Sequence, residues 1–273
     1  MCPCAAWAGA GMTGGPDRRA AAATTSGSAL YGLRARVAAR AVRLFADNRD
    51  DEAFRLVRPL FAGRDPLTTA PDVLLADAAI VYVYSYGDDH DHRTDVPWAQ
   101  HAHDTNRRLR GVSHPGTLEA TETLAEAHEW RGEYAPAARV WQSLAAGHDQ
   151  LEQTDRADLA RLRQAICLHA LGRCGEAIRL AGRSWDCWCR TEDRNPADGP
   201  GIVGPYMTML TLCGRKPEAL TVLAAARGTL PVRFWPGTLL FQIAGRQSES
   251  FEPGVHDLVC ARHRQPGDRQ AEP

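Results

Sequence analysis

The chain has almost no lysine: of its 32 basic residues only Lys216 is one, and the rest are arginines. Lys216 sits in Gly214-Arg215-Lys216-Pro217, which is not a GxxxxGK[ST] loop, so a P-loop phosphate site is excluded. Lysine Schiff-base chemistry has this one candidate. Eight cysteines are present, Cys2, Cys4, Cys167, Cys174, Cys187, Cys189, Cys213 and Cys260, yet no two form a CxxC pair. They read as reduced thiols of a cytoplasmic protein. The tight Cys187-Trp188-Cys189 step, as a chelate or paired with Cys2 and Cys4, is the weaker reading, since structural zinc sites favour wider spacing. No HExxH, GxSxG or strand-to-helix GxGxxG set occurs, so hydrolase and dinucleotide chemistry have no motif behind them. No apolar run approaches the roughly 18 residues that would span a bilayer. A formal net charge of −1 removes the whole-molecule field that nucleic acid or an anionic membrane would require.

What is present is helical periodicity. With 44% hydrophobic residues the composition is that of a packed chain. Residues 1–27, rich in Ala, Gly and Thr and without periodicity, read as a disordered tail. From Ser28, Leu30, Leu33, Val37, Ala41 and Leu44 recur at helical spacing, and Ala53, Leu56, Val57 and Leu60 follow after a break at 46–49. A strongly apolar helix begins after Pro71-Asp72 and stops at Gly87, before the polar insert Asp88–Asp95. The next helix is expected from about Trp98 to Arg110. Further pairs are expected at Thr117–Ala145 around Gly132, at Ala157–Leu171 and Gly175–Trp188 around Gly172, and at Tyr206–Cys213 and Pro217–Arg227 around Gly214. Residues 232–273 read as a divergent capping hairpin and a frayed end.

These pairs repeat one pattern. Aligning the second helices on Ala53, Ala137, Ala177 and Ala219 puts apolar or small residues three, four and seven places later, which is one face of a helix. Five residues before each alanine stands a turn former: Asn48, Gly132, Gly172 or Gly214. Seven residues before that, Ala41, Ala125 and Ala165 supply a small side chain where two helices would approach closely, with Met207 the exception. The phrase Leu124-Ala125-x-x-His128-x-x-x-Gly132-x-Tyr134-x-x-Ala137-x-x-x-Trp141 resembles the tetratricopeptide repeat (TPR), with His128 where an aromatic is usual. The leader His114-Pro115-Gly116-Thr117-Leu118 further resembles the kinesin-light-chain-type branch common in actinobacterial proteins. The Ala/Arg-rich, lysine-poor usage points the same way, towards a GC-rich bacterial genome. With Ala99 included, units are spaced 38–46 residues apart, longer than the basic ~34. The resemblance implies an all-α, right-handed superhelical solenoid of about five helix-turn-helix repeats over residues 28–231. It implies binding rather than catalysis, without a cofactor or resident metal.

Two features bear on what is bound. Glu119, Glu122, Glu126 and Glu129 fall at i, i+3, i+7 and i+10, one stripe of the first helix of the best-matching unit. The resemblance places that stripe on the concave wall, with Asp77 and Tyr84 of the preceding unit on the same wall. Carboxylates there favour a peptide or protein segment bearing Arg or Lys. The second feature is the His/Asp-rich insert Asp88–Asp95, followed by His101 and His103. His90, His92 and nearby carboxylates are the ligands a metal-dependent enzyme would use. His101 and His103, two apart on a helix, should point in different directions, and the plainer reading of the insert is a solvated loop. The expected function is thus a non-catalytic protein-interaction scaffold or regulatory subunit. A peptide-responsive sensor is the second reading, and the metal-dependent enzyme the third.

Overall fold

The computed structural model describes residues 32, 35–84, 94–191 and 198–230. The expected tail at 1–27, most of the His/Asp insert and the expected capping hairpin at 232–273 lie outside the described residues. Ten helices run through the described part: α1 (35–46), α2 (Asp50–Phe61), α3 (Val73–Tyr84), α4 (Asp95–Arg110), α5 (Pro115–Trp130), α6 (Tyr134–Gln150), α7 (Thr154–Ala170), α8 (Cys174–Arg190), α9 (Gly199–Leu212) and α10 (Lys216–Thr229). From α2 onward each packs on the next in order, and first helices also meet directly, α3 with α5 and α7 with α9. The described residues form an all-α solenoid of five stacked helical hairpins, as the periodicity implies.

The turns explain the regular spacing. At each hairpin turn outside the second unit, a backbone N–H reaches back five residues to close the preceding helix. The bonds run from Arg49 to the Leu44 carbonyl (2.9 Å), Glu133 to His128 (2.8 Å), Arg173 to Leu168 (2.9 Å) and Arg215 to Leu210 (2.8 Å). This six-to-one closure is a Schellman motif, and it needs a left-handed residue just before the donor. That residue is Asn48 (φ 57°), Gly132 (φ 70°), Gly172 (φ 77°) or Gly214 (φ 75°), the four turn formers read from the sequence. The link from α6 to α7 closes in the same way, Gln153 N–H to His148 O at 3.0 Å, with Glu152 at φ 57°. No glycine marks that turn, so the sequence did not reveal its geometry. Imidazoles reinforce two closures, His128 Nδ1 to Glu133 (2.7 Å) and His148 Nδ1 to Gln153 (2.8 Å).

The aligned alanines are where the hairpins cross. Ala41, Ala53, Ala99, Ala125, Ala137, Ala165, Ala177 and Ala219 are all fully buried, and Met207 fills the one larger place at the crossing. Around them Val57, Trp141, Leu144, Leu180 and Leu223 are buried. Each such large side chain removed from water contributes about 1.5–3 kcal/mol. The core has two parts. One gathers residues from α1 to α5 and the other residues from α5 to α10, so α5 gives Ala120, Leu124 and Ala127 to the first and Leu118 and Ala125 to the second.

One helix is longer than its sequence pattern suggests. The helix expected from Tyr206 begins earlier, α9 starting at Gly199. Pro200 occupies its first turn, where a missing N–H costs nothing, and Ile202 and Val203 are buried just beyond. Pro205 hid this start from a reading that treats proline as a stop.

Candidate binding cleft

Between α5 and α7 the stacking loosens. Backbone contact there is sparser than between α3 and α5 or between α7 and α9. A cleft of about 470 Å³ opens in the gap, lined by Glu122 and Glu126 from α5, Trp141, Leu144 and His148 from α6, and Arg156, Leu159, Ala160 and Arg163 from α7. The helical repeat puts Glu122 and Glu129 on one side at i and i+7, and Arg156 and Arg163 opposite them at the same interval. Two ladders of opposite sign therefore face each other across the cleft.

Five of the six residues singled out from the sequence fall into two groups, Asp77 with Glu119 and Tyr84 with Glu126 and Glu129, and Glu119 and Glu126 stand about 10 Å apart along α5. In the first, the Arg110 guanidinium donates to both carboxylate oxygens of Asp77, at 2.6 and 2.8 Å, and to Asn106 Oδ1 at 2.6 Å. Loss of water and the nearby Asp77 charge push the Glu119 carboxyl above its ordinary range, against the pull of Arg110. Asp77 is thus already engaged within the protein.

The second group is part of a continuous network across four hairpins. The Tyr84 ring stacks on Phe45 at 5.6 Å and meets Trp130 edge-on at 5.7 Å. Its hydroxyl is hydrogen-bonded with Glu126 and Thr123, and burial beside Glu126 holds it far above the usual phenol range. Glu126 lies 3.6 Å from Arg163, which also pairs with Glu129 at 2.7 Å. Glu129 accepts the indole N–H of Trp141 and the Cys167 thiol, the latter at 3.2 Å. Arg163 lies over the Trp141 ring at 5.4 Å. Burial raises Glu129 despite Arg163, and burial beside Glu129 drives the Cys167 thiol far up. Glu129 is therefore structural in its contacts and faces its own protein.

Glu122, like Glu119, makes no side-chain hydrogen bond or close ion pair among the described residues, but Glu122 opens on the cleft. Desolvation first, then the Glu126 charge, raise its carboxyl against the weaker pull of Arg156 and Arg163. Beside it, Leu159 exposes half of its surface. Along the wall five carboxylates (Asp77, Glu119, Glu122, Glu126 and Glu129) meet three guanidiniums (Arg110, Arg156 and Arg163), a formal excess of two negative charges.

Reading the stripe alone misses Arg110, Arg156 and Arg163. The matching seven-residue step of Arg156 and Arg163 was the available signal, but pairing it with α5 requires the stacking order. Of the histidines, His101 is buried against Trp98, its imidazole held below the usual range by burial, while His103 contacts Asp104 at 3.2 Å. They face different surroundings, as their spacing implies. His90 and His92 lie outside the described residues, as do Cys2 and Cys4. No helix among the described residues is long and apolar enough to cross a membrane.

Comparison with protein-family models gives no match, and no curated protein matches in sequence. Among solved structures, the chain is similar to the nearly identical TPR-like repeats of a Podospora anserina protein described as a kinesin light chain. The TM-score is 0.57 at 15% identity, over 71% of this chain and 92% of that one. A singly substituted form of the same repeats gives the same values. The likeness establishes a TPR-like fold.

Proposed function

We propose that the chain is a non-catalytic protein-interaction module that takes a peptide or protein segment bearing Arg or Lys in the cleft between α5 and α7. The observation that carries this reading is Glu122, a desolvated carboxylate without a close partner, set beside exposed Leu159 at the edge of a 470 Å³ cleft. A guanidinium or ammonium entering there relieves the cost of holding Glu122 charged, and an apolar neighbour on the segment covers Leu159 and Trp141. Asp77, Tyr84, Glu119 and Glu126 extend the same wall. Glu129 supports it through Trp141 and Arg163. The lysine-poor, Arg-rich composition and the His114–Leu118 leader fit a bacterial, actinobacterial-type source and a cytoplasmic setting.

Panning a randomised peptide pool on the full chain tests this. Peptides enriched in Arg or Lys are expected, with affinity falling as salt rises. Changing Glu119 and Glu122 to Gln should weaken them about tenfold, equivalent to 1.4 kcal/mol. Peptides that bind the variant equally well with the same salt dependence would overturn the reading. A second reading, a regulator whose curvature responds to the bound peptide, rests on the division of the core at α5 beside the cleft.

A further inference from the structure

Away from the cleft, the turns of the fourth and fifth hairpins bring together three residues that lie far apart in sequence. His169 is in the last turn of α7, Cys174 is the first residue of α8, and Cys213 follows the last residue of α9. One ligand atom from each, the imidazole nitrogen and the two sulfurs, all lie within 4.8 Å of one another. His169 Nε2 is 3.3 Å from Cys213 Sγ. A tetrahedral ion with metal–sulfur bonds of about 2.3 Å and metal–nitrogen bonds of about 2.0 Å sets its ligand atoms roughly 3.5–3.8 Å apart. A pair at the outer limit of that spread has to close by roughly 1 Å for the three groups to surround one ion.

The chemistry of the set is selective. Two thiolates and an imidazole suit zinc and exclude magnesium and calcium, which take oxygen ligands. His169 is fully buried and Cys174 nearly so, while Cys213 is partly exposed, which gives the trio one open side. Position within the repeat is informative. Counted from the turn glycine, His169 and Cys174 stand where the preceding unit has Glu129 and Tyr134. The backbone at these places recurs along the solenoid, and in the fourth unit it carries an imidazole and a thiol.

We propose that His169, Cys174 and Cys213 form a three-ligand site for a zinc-class divalent ion that clamps the fourth hairpin to the fifth. Three protein ligands leave a fourth position for water or another donor on the open side. Binding converts two thiols to thiolates, so each ion taken up releases up to two protons.

Titrating the reduced, metal-stripped full chain with Co²⁺ tests the site. One equivalent should give tetrahedral ligand-field bands with thiolate-to-cobalt charge transfer, and Zn²⁺ should displace it with a rise in Tm. Cys213→Ser, the mildest change because its side chain is only partly buried, should remove most of the charge-transfer intensity and weaken uptake at least tenfold. Cys174→Ser should do the same, while a His90→Ala/His92→Ala variant should bind as the wild type does. Cobalt spectra without thiolate bands, or bands unchanged in both cysteine variants, would overturn the proposal. Loss of uptake in the His90/His92 variant with retention in the cysteine variants would do so too. A Cys174–Cys213 disulfide that resists mild reductant, with no cobalt uptake, counts equally against it.

Discussion

Arg163 of α7 reaches back across the cleft to Glu129 of α5 at 2.7 Å, and in doing so lies over the ring of Trp141 on α6. One side chain thus ties three successive helices and bridges the sparse contact between α5 and α7. Glu129 keeps 11% of its side-chain surface exposed and Arg163 25%, so water screens this pair only in part.

Replacing Arg163 by Met keeps the apolar stem and removes the charge. Glu129 then faces Glu126 with no cation beside it, and the fold should lose about 1–3 kcal/mol at pH 7.5, discounted from the value for a fully buried pair because Arg163 is part exposed. The loss should shrink at pH 5, because a carboxyl raised by burial takes up a proton more readily there. Urea denaturation at the two pH values checks this. An equal loss at both would show that Glu129 is not the group responsible.

Glu122→Gln should act in the opposite direction. A carboxyl whose folded value lies above its ordinary 4.5 binds more protons folded than unfolded. Its contribution to stability is therefore greatest at low pH and falls as pH rises from about 4.5 through the folded value. The variant should be more stable than the wild type at pH 7 by about 0.5–1 kcal/mol, with the difference vanishing towards pH 4. Tm measured from pH 4 to pH 7.5 decides it. A destabilised variant at pH 7 would mean that Glu122 has a structural partner.

Two turn substitutions should have opposite signs. Nothing lies within 4 Å of a Cβ built on Gly132, so Gly132→Ala tests the backbone alone at φ 70°, and it should cost about 1 kcal/mol. Glu152 holds the same left-handed place at φ 57° between α6 and α7, and Glu152→Gly should stabilise by up to about 1 kcal/mol. Thermal unfolding of the pair checks both.

The repeat was legible because its parts are local. Asn48, Gly132, Gly172 and Gly214 each had to accept a left-handed backbone, and the alanines at the crossings had to be small. Both requirements act on one residue at a time. Glu152 escaped notice because glutamate, unlike glycine or asparagine, is not a residue type that marks that conformation. The start of α9 escaped because Pro200 and Pro205 read as breaks, although burial of Ile202 and Val203 holds the helix together through them.

Residue order alone therefore specified an all-α repeat and the acidic stripe of Glu119, Glu122, Glu126 and Glu129, because helical spacing is a property of neighbours in the chain. It left open which of those carboxylates remain available. That depended on α7 stacking against α5 and α6, which engages Glu129 with Arg163, Trp141 and Cys167 and leaves Glu122 at the cleft. The meeting of His169, Cys174 and Cys213 was likewise decided by the stacking of α7, α8 and α9. Charge pairing and ligand geometry fall off over a few ångströms, and only tertiary packing brings residues so distant in sequence within that range.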